Sequence, residues 1–221
     1  MSHWFSVETV FKSESSIKAA ATSMGFILRH RAKCRGYSSN VQNCDLVLEL
    51  PGGYDLGFVK QPDGTYVVSA DFWQDHISKY LGNPTTMAIA HAEEKELYEQ
   101  GKFSEADSLM AKAKISKFTQ EYNKYALKEL VQQQGLQYME STLCDGSIVM
   151  EIIDPQKEAG ERIFATLGKG GTVKVDAQGY TGTTCKEATK FLETLGIAAP
   201  SATKPEYYEN PPLLEGVKID G

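Results

Sequence analysis

The chain has 221 residues, a length that suits two small domains better than one. Hydrophobic residues make up 41% and charged residues 24%, so a packed core can form without disulfides or metal ions. The net charge of −6 argues against a nucleic-acid-binding protein, which needs a basic surface to neutralise phosphates.

The first 70 residues predict a β-α-β-β-β core. A strand covers about residues 3–11, and a helix follows Ser13, where Ile17, Ala20, Ala21 and Met24 fall on one face. Gly25 stands where a glycine ends such a helix. The remaining predicted strands lie near residues 26–28, 45–50, 54–59 and 66–70. The basic stretch at residues 29–35 is predicted to be a solvated loop, with an anionic-ligand site as the alternative.

A helical pattern follows at residues 83–135. Asn83 and Pro84 form a helix start, and this first helix is predicted to run to about Gln100. A second helix is predicted from Ser104 to Gly135, and it would be about 45 Å long at the usual rise per residue. The two helices are expected to pack as a hairpin.

The last part of the chain predicts strands and one short helix. A β-hairpin turns at Asp145-Gly146, and a linker covers residues 154–161. Two strands follow near residues 163–167 and 173–175, and the capping box at 184–187 predicts a helix. The segment after residue 197 is rich in proline and is predicted to be extended.

No established catalytic motif occurs in the sequence, so we lean against an enzyme. No stretch approaches the roughly 18 apolar residues that span a bilayer, and the first six residues do not resemble a secretory signal. We therefore expect no membrane association.

The chain has four cysteines: Cys34, Cys44, Cys144 and Cys185. They lack paired spacing, which is typical of free thiols in the cytoplasm. We therefore expect no metal and no cofactor.

Polar and aromatic residues cluster at the predicted strand ends, and they form the candidate binding site. Arg35 can pair with Asp55 or Asp71, and such a pair would suit recognition of a peptide or a small ligand. The alternative is that Arg35 forms a structural salt bridge while the aromatic residues fill the rim of the core. The candidate residues are Arg35, Tyr37, Tyr54, Asp55, Asp71, Trp73, Tyr122 and Tyr125.

Several motifs resemble a known family. They include Arg35-Gly36-Tyr37, the stretch from Pro51 to Phe58, Asp63-Gly64-Thr65-Tyr66 and Ala70-Asp71-Phe72-Trp73. On these motifs, residues 1–83 and 116–153 resemble the hypothetical chloroplast open reading frame thirty-five family, a domain of unknown function (twelve fifty-seven). Residues 162–208 resemble a second domain of unknown function (twenty-nine ninety-seven), through Val173-Lys174-Val175 and Gly179-Tyr180-Thr181-Gly182.

The resemblance carries expectations about architecture and partners. It marks residues 84–115 as an insertion into the first domain. It also implies a setting in the cytoplasm or in a compartment like the plastid stroma, near an AAA-type ATPase. We predict an α+β fold: a mixed or antiparallel sheet with packed helices and an inserted helical hairpin at residues 1–153, and a small β-β-α domain at residues 162–221.

Three functional hypotheses follow from these observations. The first is a non-enzymatic binding or adaptor protein with a protein partner, for which Arg35→Ala should abolish partner capture without unfolding the chain. The second is a small-ligand-binding protein or enzyme that uses the arginine, tyrosine and aspartate cluster in a deep pocket. The third is a structural component of a phage or another assembly, which a symmetric homo-oligomer built from the inserted helices would favour.

Overall fold

The computed structural model of the chain describes residues 4–38, 40–157, 160–180 and 188–195. Within these ranges, the side chains of residues 4–10 and 193–195 are not described. The predicted C-terminal capping box and the proline-rich segment after residue 197 lie outside the described residues.

The first sheet has five antiparallel strands. Residues 4–71 form a β-α-β-β-β-β unit with one strand at each of the five predicted strand segments, and the strand order is β1-β5-β4-β3-β2. The elements are β1 (Trp4–Phe11), α1 (Glu14–Ser23), β2 (Ile27–Arg35), β3 (Val41–Glu49), β4 (Leu56–Lys60) and β5 (Tyr66–Asp71). Helix α1 begins as predicted, because the Ser13 side chain accepts a hydrogen bond from the Ser16 N–H.

The prediction that residues 29–35 form a solvated loop is wrong. These residues belong to β2, which pairs with β3 from Ile27 opposite Glu49 to Arg35 opposite Val41. Because β2 is the last strand of the sheet, most of its residues are exposed, and charged side chains cost little there. The high charge of this stretch is therefore compatible with a strand at the edge of the sheet, although it led to the prediction of a loop.

The central part of the chain is helical: α2 (Ser78–Leu81), α3 (Pro84–Glu99), α4 (Phe103–Lys114) and α5 (Ser116–Gln133). Asn83 caps α3 as predicted, accepting from the N–H groups of Thr85 and Thr86. Helices α3 and α4 form the predicted hairpin and share a small apolar cluster around Ala90 and Met110.

The prediction of one long helix from Ser104 to Gly135 is wrong, because the chain leaves helical geometry at Ile115. Its φ of −115° lies far from the helical value, and its side chain is fully buried. The break lets α4 pack on α3 while α5 turns to pack on the sheet through Phe118. The Ser116 hydroxyl accepts a hydrogen bond from the Asn83 N–H at 2.9 Å and joins the two ends of this insertion.

The second sheet is a four-stranded antiparallel meander in the order β6-β7-β8-β9. Its strands are β6 (Gln137–Thr142), β7 (Ile148–Ile153), β8 (Arg162–Leu167) and β9 (Val173–Gln178). A short 3-10 helix (Lys190–Leu195) follows in the described part of the chain. Strands β7 and β8 pair directly, so the segment at 154–161 connects neighbouring strands of one sheet.

Helix α5 contributes to the hydrophobic cores of both sheets. Phe118 and Tyr122 pack with Phe11 and Phe58 in the core of the first sheet. The next turns supply Leu127 and Val131 to the core of the second sheet. The arrangement confirms the α+β fold class. None of the helices among the described residues is long and apolar enough to cross a bilayer.

Candidate functional site

The candidate residues gather where the β2–β3 hairpin folds back over the first sheet. In a flat sheet of this strand order, β2 and β5 would lie about 14 Å apart. Nevertheless, the Cys34 thiol in β2 lies 3.9 Å from the main-chain oxygen of Ser69 in β5. Gln42 of β3 accepts a hydrogen bond from the Ser69 hydroxyl at 2.6 Å, across the intervening strand β4. We call residues 32–38 and 40–44 the folded tip.

The fold-back occurs at Arg31 and Asp45, which face each other in β2 and β3. Arg31 has a left-handed φ of 46°, and this pair is missing from an otherwise continuous ladder. Before this point Leu28 packs against the core on the helix-covered face of the sheet, whereas beyond it Cys34 joins a cluster on the opposite face. The irregularity therefore redirects the folded tip over the helix-free face.

Gly57 of β4 lies directly beneath the folded tip. A Cβ atom at this position would stand 2.4 Å from the Cys44 thiol and 2.9 Å from the Ser69 carbonyl oxygen. Cys34 and Cys44 are both buried here and are in contact. The hydrogen bond with Cys44, together with burial, raises the pKa of the Cys34 thiol. The same hydrogen bond lowers the pKa of Cys44. A protonated, buried thiol is a poor nucleophile, which favours a packing role for Cys34.

Of the two partners predicted for Arg35, the structure selects Asp55. The Arg35 Nε and one terminal nitrogen each donate to a carboxylate oxygen of Asp55 at 2.7 Å. The carboxylate also accepts from the main-chain N–H groups of Arg35 and Leu50, and it is 1% exposed. The hydrogen bond to Asp55 raises the pKa of Arg35. This network anchors the end of β2, within the folded tip, to the start of β4.

Asp71 anchors the turn between β2 and β3 at the far end of the folded tip. Its carboxylate is fully buried and accepts from the N–H of Tyr37 at 2.9 Å and from the N–H of Trp73 at 3.2 Å. The Tyr54 ring stacks on His76 with centroids 4.1 Å apart. Burial, followed by the charge of Asp71, raises the pKa of Tyr54. Trp73 is half-buried against the first core.

Two side chains of this group point into solvent. The Arg35 side chain is 45% exposed despite its salt bridge, and Tyr37 is 52% exposed. Among the predicted residues, the two carboxylates of Asp55 and Asp71 are thus buried, whereas Arg35 and Tyr37 form an outward pair. Asp55 accepts a hydrogen bond from the Arg35 side chain and Asp71 accepts one from the Tyr37 N–H, and these bonds hold the pair in place.

Tyr122 and Tyr125 lie apart from that group. Tyr122 is 3% exposed, and its hydroxyl accepts from the N–H groups of Lys12 and Ser13. Tyr125 is half-buried against the first core, and the ammonium groups of Lys124 and Lys128 lie within 5.5 Å of its ring centroid. The structure therefore gives Tyr122 internal contacts, and a binding role for either tyrosine stays a prediction.

Three further residues at the site, Ser69, Gln42 and Lys114, were not predicted from the sequence. The Ser69 hydroxyl and the Gln42 amide oxygen join β5 to the folded tip, and no sequence signal marks either residue. Lys114 donates to the Phe72 carbonyl at 2.6 Å, and desolvation lowers its pKa. Its position at the end of α4 is a favourable place for a cation, which is the one signal that could have drawn attention to it.

Two family models match the chain. One is described as Protein of unknown function (DUF1257) and matches residues 20–82, which include the folded tip, Asp55 and Asp71. The other is Protein of unknown function (DUF2997) and matches residues 165–208. The chain is a fusion of two domains of unknown function. No curated protein and no solved structure matches it.

The residues matched by the two family models can be compared with the residues for which a resemblance was predicted. The first resemblance, predicted over residues 1–83 and 116–153, is found over 20–82. The second, predicted over 162–208, is found over 165–208. In this fusion, the first matched segment ends immediately before α3, so the helical hairpin lies outside both matched ranges.

Proposed function

We propose that this protein is a non-enzymatic binding or adaptor protein that acts through protein–protein contacts. Its proposed binding surface is the outward pair Arg35 and Tyr37. The observation that supports the proposal is that two buried carboxylates, Asp55 and Asp71, fix the main chain beneath these exposed side chains. From the family resemblance, we propose an AAA-type ATPase as a partner, in the cytoplasm or a compartment like the plastid stroma.

The chemistry of the outward pair suits protein recognition. Arginine and tyrosine are enriched among the residues that dominate the binding energy of protein interfaces. A side chain on a fixed main chain loses less conformational entropy on binding than one on a mobile loop. Arg35 also keeps N–H donors that Asp55 does not engage, because its contacts there use Nε and one terminal nitrogen.

The direction of the carboxylates favours this proposal over a small-ligand site. A ligand site built on Asp55 and Asp71 would need their oxygen atoms to face a cavity. Both side chains are instead nearly inaccessible, and they accept hydrogen bonds from the main chain around them. These contacts are consistent with a structural role for both carboxylates, which hold the main chain beneath Arg35 and Tyr37.

The test is affinity capture of the tagged full chain from its native cells, followed by quantitative mass spectrometry. Tyr37→Ala is the informative variant, because it removes the exposed ring and leaves the N–H that binds Asp71. Tyr98→Ala is the matched control, since Tyr98 is 41% exposed on the distant helical hairpin. Thermal unfolding of all three proteins checks that they are equally folded.

The proposal predicts a stoichiometric protein partner that the wild type and Tyr98→Ala retain and that Tyr37→Ala loses. An ATPase among these proteins would support the proposed partner. Equal capture by Tyr37→Ala would overturn the proposed surface. Recovery of the chain with a bound small molecule, and with no protein at stoichiometric amounts, would favour the ligand-binding alternative.

A further inference from the structure

Strand β2 leaves one side of its main chain without a strand partner. It is the last strand of the first sheet and pairs only with β3 among the described strands. A strand at the edge of a sheet presents a row of N–H and C=O groups that can pair with another extended chain. Strand β2 is nine residues long and mostly exposed, but the main-chain N–H and C=O of its last residue, Arg35, are already bonded to Asp55. The open edge therefore ends before Arg35, two residues short of Tyr37.

The charge of this edge is opposite to that of the whole protein. The chain carries a net charge of −6, yet β2 contains four arginine or lysine residues and no acidic residue. Arg29 pairs with Glu49, and Arg35 pairs with Asp55. Arg31 and Lys33 lie between them, are exposed, and make no ion pair with any described residue. The middle of the edge is thus a local site of uncompensated positive charge.

Exposed apolar side chains lie at both ends of the same edge. Ile27 at the start of β2 is 57% exposed. Beyond its end, Tyr37 is 52% exposed, and Val41 of the neighbouring strand β3, opposite Arg35, is 46% exposed. An extended segment running along β2 would therefore meet apolar contacts at its ends and cations in its middle.

We propose that an acidic segment of the partner protein binds in extended conformation along β2, as an added strand. Its main chain pairs with β2 before Arg35, and its carboxylates face Arg31 and Lys33. Its apolar side chains contact Ile27 at one end and, beyond the paired stretch, Tyr37 at the other. This inference rests on the proposed function, because it names the kind of partner segment that reaches Tyr37. Opposite charge selects the segment, and main-chain hydrogen bonds contribute affinity.

The geometry at Arg31 limits how the added strand pairs. Its left-handed φ of 46° interrupts the regular edge, so pairing is divided into short stretches on either side. Charged residues and irregularities commonly protect edges against indiscriminate association. On β2 the same positive charges that repel basic strands attract acidic ones, so protection and selectivity have one cause.

The direct test uses defined peptides with the full chain. One labelled peptide alternates glutamate and valine, and its counterpart alternates lysine and valine. Fluorescence anisotropy measures binding, and hydrogen exchange locates it on the protein. We expect the glutamate peptide alone to bind, to slow exchange in β2, and to bind more weakly as salt is raised.

The variant for this test is Arg31→Glu/Lys33→Glu. We expect it to weaken binding of the glutamate peptide about tenfold or more. The matched control is Lys102→Glu/Lys174→Glu, which changes the net charge equally and includes a lysine on β9, the edge strand of the second sheet. It should bind like the wild type. Thermal unfolding confirms that both variants remain folded.

Several results would overturn the edge-strand inference: no binding of the glutamate peptide, equal binding of the lysine peptide, or protection outside β2. Displacement of the peptide by a short oligothymidine that binds more tightly would also overturn it, in favour of a nucleic acid.

Native capture separates the two proposals. A partner lost with Tyr37→Ala but kept with Arg31→Glu/Lys33→Glu leaves the adaptor proposal standing and overturns the added strand. The reverse pattern supports the edge and contradicts the Arg35–Tyr37 surface.

Discussion

The side-chain amide of Gln120 donates a hydrogen bond to the main-chain carbonyl of Leu167 at 3.0 Å. This bond joins helix α5 to the end of strand β8 in the second sheet. The same amide donates to the carbonyl of Gly146 at 3.1 Å. Two residues later on α5, the Tyr122 hydroxyl accepts from the N–H groups of Lys12 and Ser13, next to the first sheet. Helix α5 thus joins the two halves of the fusion through polar contacts as well as through both cores.

We predict that Gln120→Leu lowers the free energy of unfolding by about 1–3 kcal/mol, because the carbonyl groups of Leu167 and Gly146 lose their donor and the bond to Leu167 is buried. The substitution keeps a similar side-chain size, so the loss reports mainly the hydrogen bonds. Gln132→Leu is the control, since Gln132 is exposed on the same helix. Urea unfolding measures both. Equal stabilities of the two variants would contradict the role of Gln120.

Gly57→Ala should destabilise the protein by about 1–3 kcal/mol through overpacking. The added methyl group would meet the Cys44 thiol and the main chain of Ser69, and the latter cannot move without shifting β5. Gly53→Ala is the matched control, because a Cβ there meets nothing within 4 Å. Thermal unfolding compares the two. If Gly57→Ala is as stable as the control, the folded tip does not lie on β4 as described.

The pH dependence of stability should contain a contribution from Glu129. Burial opposes its charged form, but hydrogen bonds from the hydroxyls of Ser13, Ser16 and Ser15 outweigh that effect, so the pKa of Glu129 lies below its ordinary value. A lowered pKa in the folded state means that the stabilisation is complete above the ordinary glutamate pKa. It is lost as the pH falls through the lower, folded-state pKa.

Glu129→Gln should therefore be less stable than the wild type near neutral pH, by about 1 kcal/mol. The difference should shrink as the pH is lowered below the ordinary range of a glutamate. Urea unfolding at a series of pH values measures it. Glu99→Gln, at an exposed residue at the end of α3, provides a control. A difference that is constant with pH would show that the charge of Glu129 is not what matters.

Arg35→Ala is expected to reduce both stability and partner capture, because it leaves the buried Asp55 carboxylate with main-chain donors alone. We expect a loss of about 2–4 kcal/mol. The sequence-based hypothesis expected this variant to lose partner capture with its fold intact; the buried salt bridge adds the prediction of a loss of stability. Arg35→Lys keeps the charge and loses the paired geometry, so its loss should be smaller. Urea unfolding ranks the variants, and a fully stable Arg35→Ala would contradict the anchoring role of the salt bridge.

The amino-acid sequence by itself determined the features that depend on neighbouring residues. Ser13 and Asn83 cap helices because their side chains reach N–H groups two or three residues away. The turn at Asp145-Gly146 joins two strands of alternating polarity, and these pair as predicted. The sequence also named Asp55 and Asp71 as candidate partners of Arg35, and both lie beside the folded tip.

The tertiary structure decided what depends on residues far apart in the chain. Packing of α4 on α3 and of α5 on the sheet places a break at Ile115, which no helix-breaking residue marks. Pairing with β3 makes a strand of the basic stretch at 29–35. The approach of Cys44 to Gly57 folds the tip over the sheet and turns Asp55 and Asp71 inward, leaving Arg35 and Tyr37 at the surface. Each of these outcomes follows from close packing between distant segments, a constraint that local sequence patterns do not contain.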